Sequence, residues 1–248
     1  MTPSSKNAPV ALITGASRGI GAAIARQLAS LGYRLSLVAR DKIALQALSE
    51  ELSALGFEPA QIIVQDLRVP NAAEASKKVI QQVVSHWHAL DVLINNAGVA
   101  PKIGLLQEMT EHAIEQTLDL NLKVPLYLMQ EALRVMVQQS CGTILNLNSV
   151  AGKTAYPFWA VYDASKFALR ALTQAVCEEA RSNGIRVCGI YPAATDTAIW
   201  DDLDLQQAPD RQGMLTPVQV AEAVAFMVQQ PPEVLISELT IQPLKPAL

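Results

Sequence analysis

Along this chain, short unbroken runs of Val, Ile and Leu alternate with longer stretches in which apolar residues recur every three or four positions. The runs are VALIT (10–14), RLSLVA (34–39), QIIVQ (61–65), DVLIN (91–95), GTILNLN (142–148) and IRVCGIYP (185–192), with a last one near 234–241. Such runs predict strands buried on both faces, and the periodic stretches predict helices that bury one side. Helices are predicted over about 20–31, 42–55, 71–86, 110–139, 160–182 and 217–229. Strand and helix taking turns in this way predicts an α/β fold, a three-layer doubly wound parallel sheet of about seven strands. Sheets of this kind hold ligands beyond the carboxyl ends of their strands, so the residues there carry the interest. No repeat, low-complexity tract or linker divides the pattern, which predicts one domain over 1–248. Only AIWDDLDLQQAPDRQGMLT (198–216) lacks a period. A loop of that length in a compact domain is usually functional or mobile.

Composition supports a globular chain with a large core: of 248 residues 50% are hydrophobic and only 17% charged. A domain of this size buries roughly 70–75% of its unfolded surface, so it needs no covalent staple. No apolar run approaches the ~20 residues of a spanning helix. The start, MTPSSKNAPV, has no apolar segment of the signal-peptide kind, which points to a cytoplasmic protein that does not engage membranes. Cys141, Cys177 and Cys188 lack metal or redox spacing and read as reduced packing thiols. His86, His88 and His112 read as polar residues at helix ends, so no metal is expected. A net charge of −4 without a basic run argues against nucleic acid as a partner.

LITGASRGIG closes the first predicted strand and opens the first predicted helix. Gly15, Gly19 and Gly21 let the backbone turn tightly and approach a ligand with no Cβ in the way. A helix beginning near Gly19 offers unpaired N–H groups and the positive end of its dipole, which suits a pyrophosphate. The spacing is G-x-x-x-G-x-G, not the G-x-G-x-x-G of the commoner dinucleotide fingerprint. Glycines alone would describe a tight structural turn equally well. With a strand before, a helix after and a second strand ending about 20 residues on, they point to a dinucleotide in a Rossmann-type domain.

The end of that second strand, LVARDK, bears on which dinucleotide. A carboxylate there would accept hydrogen bonds from the ribose hydroxyls of NAD, whereas an arginine would pair with the 2′-phosphate of NADP. Arg40 takes the first position after LVA, and Arg18 sits in the glycine turn. Two guanidiniums favour NADP(H) over NAD(H). Asp41 keeps the alternative open, because a shift of one residue at the strand end would present it instead.

AVYDASKFALRAL (160–172) places Tyr162 four positions ahead of Lys166, on one face of a predicted helix. A salt-bridge face would pair the lysine with Asp or Glu, and a core face would not take it. Reducing a ketone needs a hydride delivered to carbon and a proton delivered to the developing alkoxide. A phenol at its ordinary pKa of about 10 exchanges protons poorly near neutrality. An ammonium beside it favours phenolate, and lowering the pKa toward ~7 asks for about 4 kcal/mol of interaction. Lys166 together with an oxidised nicotinamide is expected to provide it. Singly, Tyr162 reads as a core tyrosine, Ser149 as a strand-end turn residue and Asn121 as a helix-interior amide. Their conjunction reads as chemistry.

Together these residues resemble the short-chain dehydrogenase/reductase family over nearly the whole chain. TGASRGIG (14–21) is similar to its cofactor turn, NNAG (95–98) to its motif after the fourth strand, and YDASK (162–166) to its Y-x-x-x-K pair. Ser149, thirteen residues before the tyrosine, and Asn121 match further family positions. The resemblance implies a catalytic set of Asn121, Ser149, Tyr162 and Lys166. Ser149 and Tyr162 would hold the substrate oxygen, Lys166 would also grip the nicotinamide ribose, and Asn121 would hold a water linking Lys166 to solvent. Cofactor contacts are implied for Ser17, Arg18 and Ile20 in the glycine turn and for Asp66 and Leu67 after the third strand. They are implied also for Asn95, Ala97 and Gly98, and for Pro192, Thr195 and Thr197 in YPAATDT (191–197). Ala193 stands where the family usually has glycine, and Asn148 replaces a common serine before Ser149.

The activity so implied is reversible, NADPH-dependent reduction of a ketone or aldehyde to an alcohol, in a homotetramer or dimer packed through the helices near 110–139 and 160–182. Phe158, Trp159, Trp200 and the VAPKIG loop (99–104) would wall a mostly apolar pocket. The ending ISELTIQPLKPAL lacks the glycine pair common in the family's 3-oxoacyl-carrier-protein reductases and is more like its general carbonyl reductases. An NADP-binding sensor or scaffold without turnover is the alternative from another class, although a binder has no use for a proton relay.

Overall fold

Each unbroken apolar run forms a strand: β1 (Val10–Thr14), β2 (Arg34–Ala39), β3 (Gln61–Val64), β4 (Val92–Asn95), β5 (Gly142–Leu147), β6 (Ile185–Pro192) and β7 (Glu238–Ile241). The helices are α1 (Gly19–Ser30), α2 (Lys42–Ala54), α3 (Ala72–Trp87), α4 (Glu111–Leu118), α5 (Val124–Gln139), α6 (Ala160–Ala180) and α7 (Pro217–Val228). The computed structural model describes residues 8–101, 103–201 and 210–245. All seven strands lie in one sheet in the order β3-β2-β1-β4-β5-β6-β7, and every pairing is parallel.

Alternation along the strands sets the layers. Ala11, Ile13, Leu35 and Leu37 pack with Ile24 and Leu28 of α1, Leu48 of α2 and Val224 of α7. Val10, Leu12, Val38 and Ile63 face the other way, onto Val79 of α3, Leu128 of α5 and Cys177 of α6. The expected three-layer doubly wound sheet is the fold that forms.

The winding locates the ligand crevice. From β1 the chain moves outward to β3, then crosses back to β4 and winds the other way to β7. The reversal lies between β1 and β4, whose carboxyl ends lead directly into Gly15 and Asn96.

Two stretches depart from expectation. The single helix predicted over 110–139 is divided into α4 and α5 by a π-helical turn at Asp119–Lys123. Pro125 gives the reason: it has no N–H for the carbonyl four residues back, that of Asn121, and its ring would collide there. The helix widens instead of breaking. Of the aperiodic 198–216 stretch, 3₁₀ turns form at Ala198–Trp200 and Arg211–Gly213, and Thr195 bridges Leu215. Residues 202–209 of that stretch, and Lys102 of the 99–104 loop, lie outside the described residues. Among the described residues no helix is long and apolar enough to cross a membrane, and no acidic, His or Cys group is arranged to hold a metal. Cys177 and Cys188 are buried free thiols, as expected, whereas Cys141 is exposed.

Candidate active site

One wall of the crevice is made of backbone. Gly15 and Gly19 adopt left-handed φ values of +65° and +56°, open to glycine without a Cβ penalty. Gly21 is required by contact, since a Cβ there would stand 2.3 Å from the Gly15 carbonyl oxygen. Arg18, exposed, occupies the cap position of α1; no side chain caps that helix, and its first turn holds no acidic residue. The leading N–H groups and the dipole are left for an anion. Ser17 and Ile20 are half-buried in the turn, Ile20 against the α1 side of the core.

Two side chains that the sequence reading passed over hold this turn. The Thr14 hydroxyl oxygen accepts from the N–H groups of Asn96 and Ala97 at 3.1 and 3.0 Å. The Asn96 amide donates to the carbonyls of Thr14 and Gly15 at 2.8 and 3.1 Å. Asn95, by contrast, points into the core and donates to Asn146 Oδ1 at 2.8 Å. Neighbours at a strand end face opposite ways, and that alternation was the available signal. Gly98 lies farther along the same loop, where a Cβ would be 3.2 Å from Asn121 Oδ1 and 4.0 Å from Lys166 Nζ.

At the end of β2, Arg40 is exposed, with its guanidinium 3.9 Å from the Asp66 carboxylate. Asp66 also accepts from the Arg68 N–H at 2.9 Å. Asp41 is engaged elsewhere: it caps α2, accepting from the Ala44 N–H at 3.0 Å. Leu67 is buried in the core.

The opposite wall is made of side chains. Ser149 follows β5, and its Oγ accepts from the Ala151 N–H at 3.1 Å. Its side chain also acts on the Tyr162 phenol, pulling the phenol's pKa down. Lys166, only 6% exposed, donates from Nζ to the Leu147 carbonyl at 3.0 Å, and Nζ lies 5.7 Å from the centre of the Tyr162 ring. The three side chains therefore converge at the carboxyl end of β5.

Their electrostatics differ from the expectation. Burial pushes the Tyr162 phenol up to about 12, against the pull of Ser149 and with a further push from the Asp163 charge. Burial also drives the Lys166 ammonium down to about 8. Burial disfavours the charged form of each group, and for the phenol it outweighs the pull of Ser149. The chain's own groups leave the phenol protonated instead of lowering it toward neutrality.

Asn121 sits in the π turn. Its amide donates to the Val99 carbonyl at 2.8 Å and to Ser165 Oγ at 3.2 Å, and accepts from the Val99 N–H at 2.9 Å. The amide thus holds the loop after β4 at Val99 and ties it to Ser165 of α6. Beyond β6, Thr195 donates to the Ala193 carbonyl at 3.0 Å and accepts from the Trp200 indole at 2.9 Å on its own carbonyl. Thr197 lies over the head of α1, within 3.4 Å of where a Gly19 Cβ would be. Pro192 ends β6, paired with Ile241. Ala193 donates its N–H to the Ile241 carbonyl at 2.9 Å and is not left-handed, so its extra methyl imposes no strain. Trp159 contacts both Tyr162 and Trp200, with ring centres 5.5 and 6.2 Å apart. Phe158 is held at φ +70°, its carbonyl accepting from the Gly104 N–H at 3.2 Å.

Residues 9–208 match the family described as short chain dehydrogenase. The chain belongs to that family. A protein of Staphylococcus epidermidis known as an uncharacterized oxidoreductase is 32% identical over 237 residues, which is 94% of this chain and 96% of that protein. Among solved structures, a metagenomic short-chain oxidoreductase in complex with NADP is 34% identical with a TM-score of 0.83, covering 97% of this chain and 99% of the other. An alcohol dehydrogenase from the archaeon Thermococcus sibiricus, complexed with 5-hydroxy-NADP, is 30% identical with a TM-score of 0.86, covering 96% and 98%. Actinorhodin polyketide ketoreductase with NADPH is 27% identical, also with a TM-score of 0.86, covering 96% and 97%.

This short-chain dehydrogenase is an oxidoreductase acting with NAD(P). Its crevice suits that group on two observations of its own: the cradle in which Gly21 leaves no room for a Cβ, and the uncapped head of α1 free of acidic residues. The glycine turn would hold the pyrophosphate, and Arg40, Thr197 and Lys166 border the path on either side.

Proposed function

We propose that this short-chain dehydrogenase is an NADPH-dependent carbonyl reductase that interconverts a ketone or aldehyde and its alcohol, with the whole chain as one catalytic domain. The observation that carries the reading is the convergence of Tyr162 and Ser149 on the buried Lys166, whose Nζ lies 5.7 Å from the centre of the Tyr162 ring and is tied to the Leu147 carbonyl just before Ser149. Nicotinamide, when bound, supplies the hydride and, once oxidised, a positive charge. Ser149 and Tyr162 offer two hydroxyls to the carbonyl oxygen, and Tyr162 gives up its proton as charge gathers there. A phenol held up at about 12 stays protonated at neutral pH and so is loaded to donate. Asn121, which borders Gly98 together with Lys166, would aid proton resupply by holding a water that links Lys166 to solvent.

NADP(H) is preferred to NAD(H). Support comes from Arg40 standing exposed where the 2′-phosphate would lie while Asp41 is engaged as a cap. It comes also from the NADP or NADPH bound in similar proteins. A homotetramer or dimer is supported by Leu126, Val137 and Phe167, which leave apolar surface exposed on α5 and α6. A second reading, reduction of a carrier-bound 3-oxoacyl group, draws on the likeness to the polyketide ketoreductase.

The test mixes purified protein with NADPH or NADH and a panel of ketones, aldehydes and 3-oxoacyl thioesters, following reduced-nicotinamide absorbance. Oxidation of NADPH by simple ketones or aldehydes is expected. Turnover of the thioesters alone would favour the second reading. Tight NADPH binding without turnover of any carbonyl would make the protein a binder.

A further inference from the structure

Asn146 and Asn148 lie two positions apart along the end of β5, on one face of the strand, and both reach α6. Asn146 donates to Thr173 Oγ1 at 2.8 Å, deep in the helix. Asn148, only 5% exposed, reaches the helix beside the site. Its Nδ2 donates to the Lys166 carbonyl at 3.1 Å, and its Oδ1 accepts from the Ser149 N–H at 2.9 Å. The backbone of Asn148 is pinned in turn, its N–H donating to the Ile190 carbonyl of β6 at 2.9 Å. The turn after Ser149 is pressed onto the same amide: a Cβ on Gly152 would stand 2.6 Å from Asn148 Oδ1 and 2.9 Å from the Lys166 carbonyl oxygen.

We propose that Asn148 is a positioning residue for the reduction, its amide bonding the backbones of Ser149 and Lys166 at once and so setting the distance between the substrate-holding serine and the catalytic helix. This rests on the carbonyl-reductase reading above. An amide presents an acceptor and a donor on opposite corners of one rigid plane, which suits one N–H on the strand side and one C=O on the helix side. A serine hydroxyl, the residue common here in the family, is shorter and has one proton, so it does not span both. The restraint matters because Tyr162 and Lys166 ride on α6 while Ser149 rides on β5. Any slide of the helix along the strand would carry the phenol away from the serine, and misplacement by about 1 Å can lower a rate on the order of a hundred-fold.

The full-length protein is compared with Asn148→Ser, which loses both reaches, and Asn148→Asp, which keeps the acceptor for Ser149 but lacks the donor for Lys166. In Asn148→Ser, kcat is expected to fall roughly ten- to hundred-fold while KM for the carbonyl and Kd for NADPH, read by fluorescence, stay within about three-fold. Hydrogen–deuterium exchange at the Ser149 amide is expected to quicken in Asn148→Ser and to stay slow in Asn148→Asp, whose kcat also falls. If Asn148→Ser does not fold, the kcat and exchange of Asn148→Asp decide the matter. Unchanged kcat and exchange in folded variants overturn the inference. So does a parallel loss of Tm, NADPH binding and kcat, which marks a structural role alone. A wild-type protein that binds NADPH yet reduces nothing brings down the reductase reading and this inference with it; an active wild type with unaffected variants sinks this inference alone.

Discussion

The two walls of the crevice are built from different material. On the β1–β4 side the working groups belong to the backbone: left-handed glycines, an uncapped helix end, and carbonyls held by Thr14 and Asn96. On the β5–β7 side they are side chains taken out of water, and their placement depends on other side chains. Behind them Glu238 of β7 acts as a hub. Its carboxylate accepts from Arg170 at 2.9 and 3.2 Å, from Gln174 at 2.9 Å and from the Tyr191 hydroxyl at 3.0 Å, and it pairs with Lys153 at 2.9 Å. Lys153 follows the Ser149 turn, Arg170 lies one turn past Lys166, and Tyr191 precedes Pro192. One carboxylate thus ties together three segments of the side-chain wall.

The contrast explains what each wall tolerates. A backbone wall accepts most side-chain changes but no added Cβ at Gly21. A side-chain wall depends on charge in a low dielectric, where partners decide the outcome. Glu238 and Asp163 mark the extremes. Burial of Glu238 opposes its ionisation, yet hydrogen bonds from Lys153, Arg170 and Tyr191 pull it down to about 2. Asp163 has one buried oxygen without a partner, and burial raises its pKa despite a hydrogen bond from the Tyr156 N–H.

The sharpest way to separate the walls is Tyr162→Phe. Loss of a positioned proton donor is expected to lower turnover roughly 10²- to 10⁴-fold while NADPH affinity, measured by fluorescence, is unchanged. Unaltered turnover would remove Tyr162 from the chemistry. Arg40→Asp should do the reverse, sparing chemistry and weakening NADPH roughly ten- to hundred-fold, the worth of a charged hydrogen bond, with little effect on NADH. Equal weakening of both would mean that Arg40 does not read the phosphate.

Glu238→Gln probes the hub through stability and not activity, with an expected loss of about 2 kcal/mol at neutral pH, a fall in Tm of roughly 4–8 °C. The wild-type carboxylate binds fewer protons folded than unfolded between its folded value near 2 and its ordinary value near 4.5. Its contribution is therefore full above about 4.5 and lost as pH falls toward 2. The variant's Tm deficit should shrink over that window in thermal melts. A deficit constant with pH would show that the charge is not what holds the hub.

Much of the backbone wall could be read before any coordinates. Continuous apolar runs, glycine spacing and the element order placed the crevice, because glycine geometry and helix ends are local properties. The π turn was legible too, in the Pro125 that follows Asn121 by four positions, although a single periodic helix was the simpler reading. The division of labour between Asn95 and Asn96 needed the true strand end, which periodicity places only to within a residue or two. The same uncertainty kept Asp41 open as an alternative to Arg40; in the structure Asp41 caps α2.

By itself, then, the sequence determined the alternation of strand and helix, the glycine turn, and the shared helix face of Tyr162 and Lys166. All of these follow from contacts within a few residues. Only the tertiary structure decided that the phenol sits near 12 and the ammonium near 8, that Asn148 joins β5 to α6, and that Glu238 gathers Lys153, Arg170 and Tyr191. Burial and long-range pairing are set by which distant segments come to lie side by side, and no local pattern carries that.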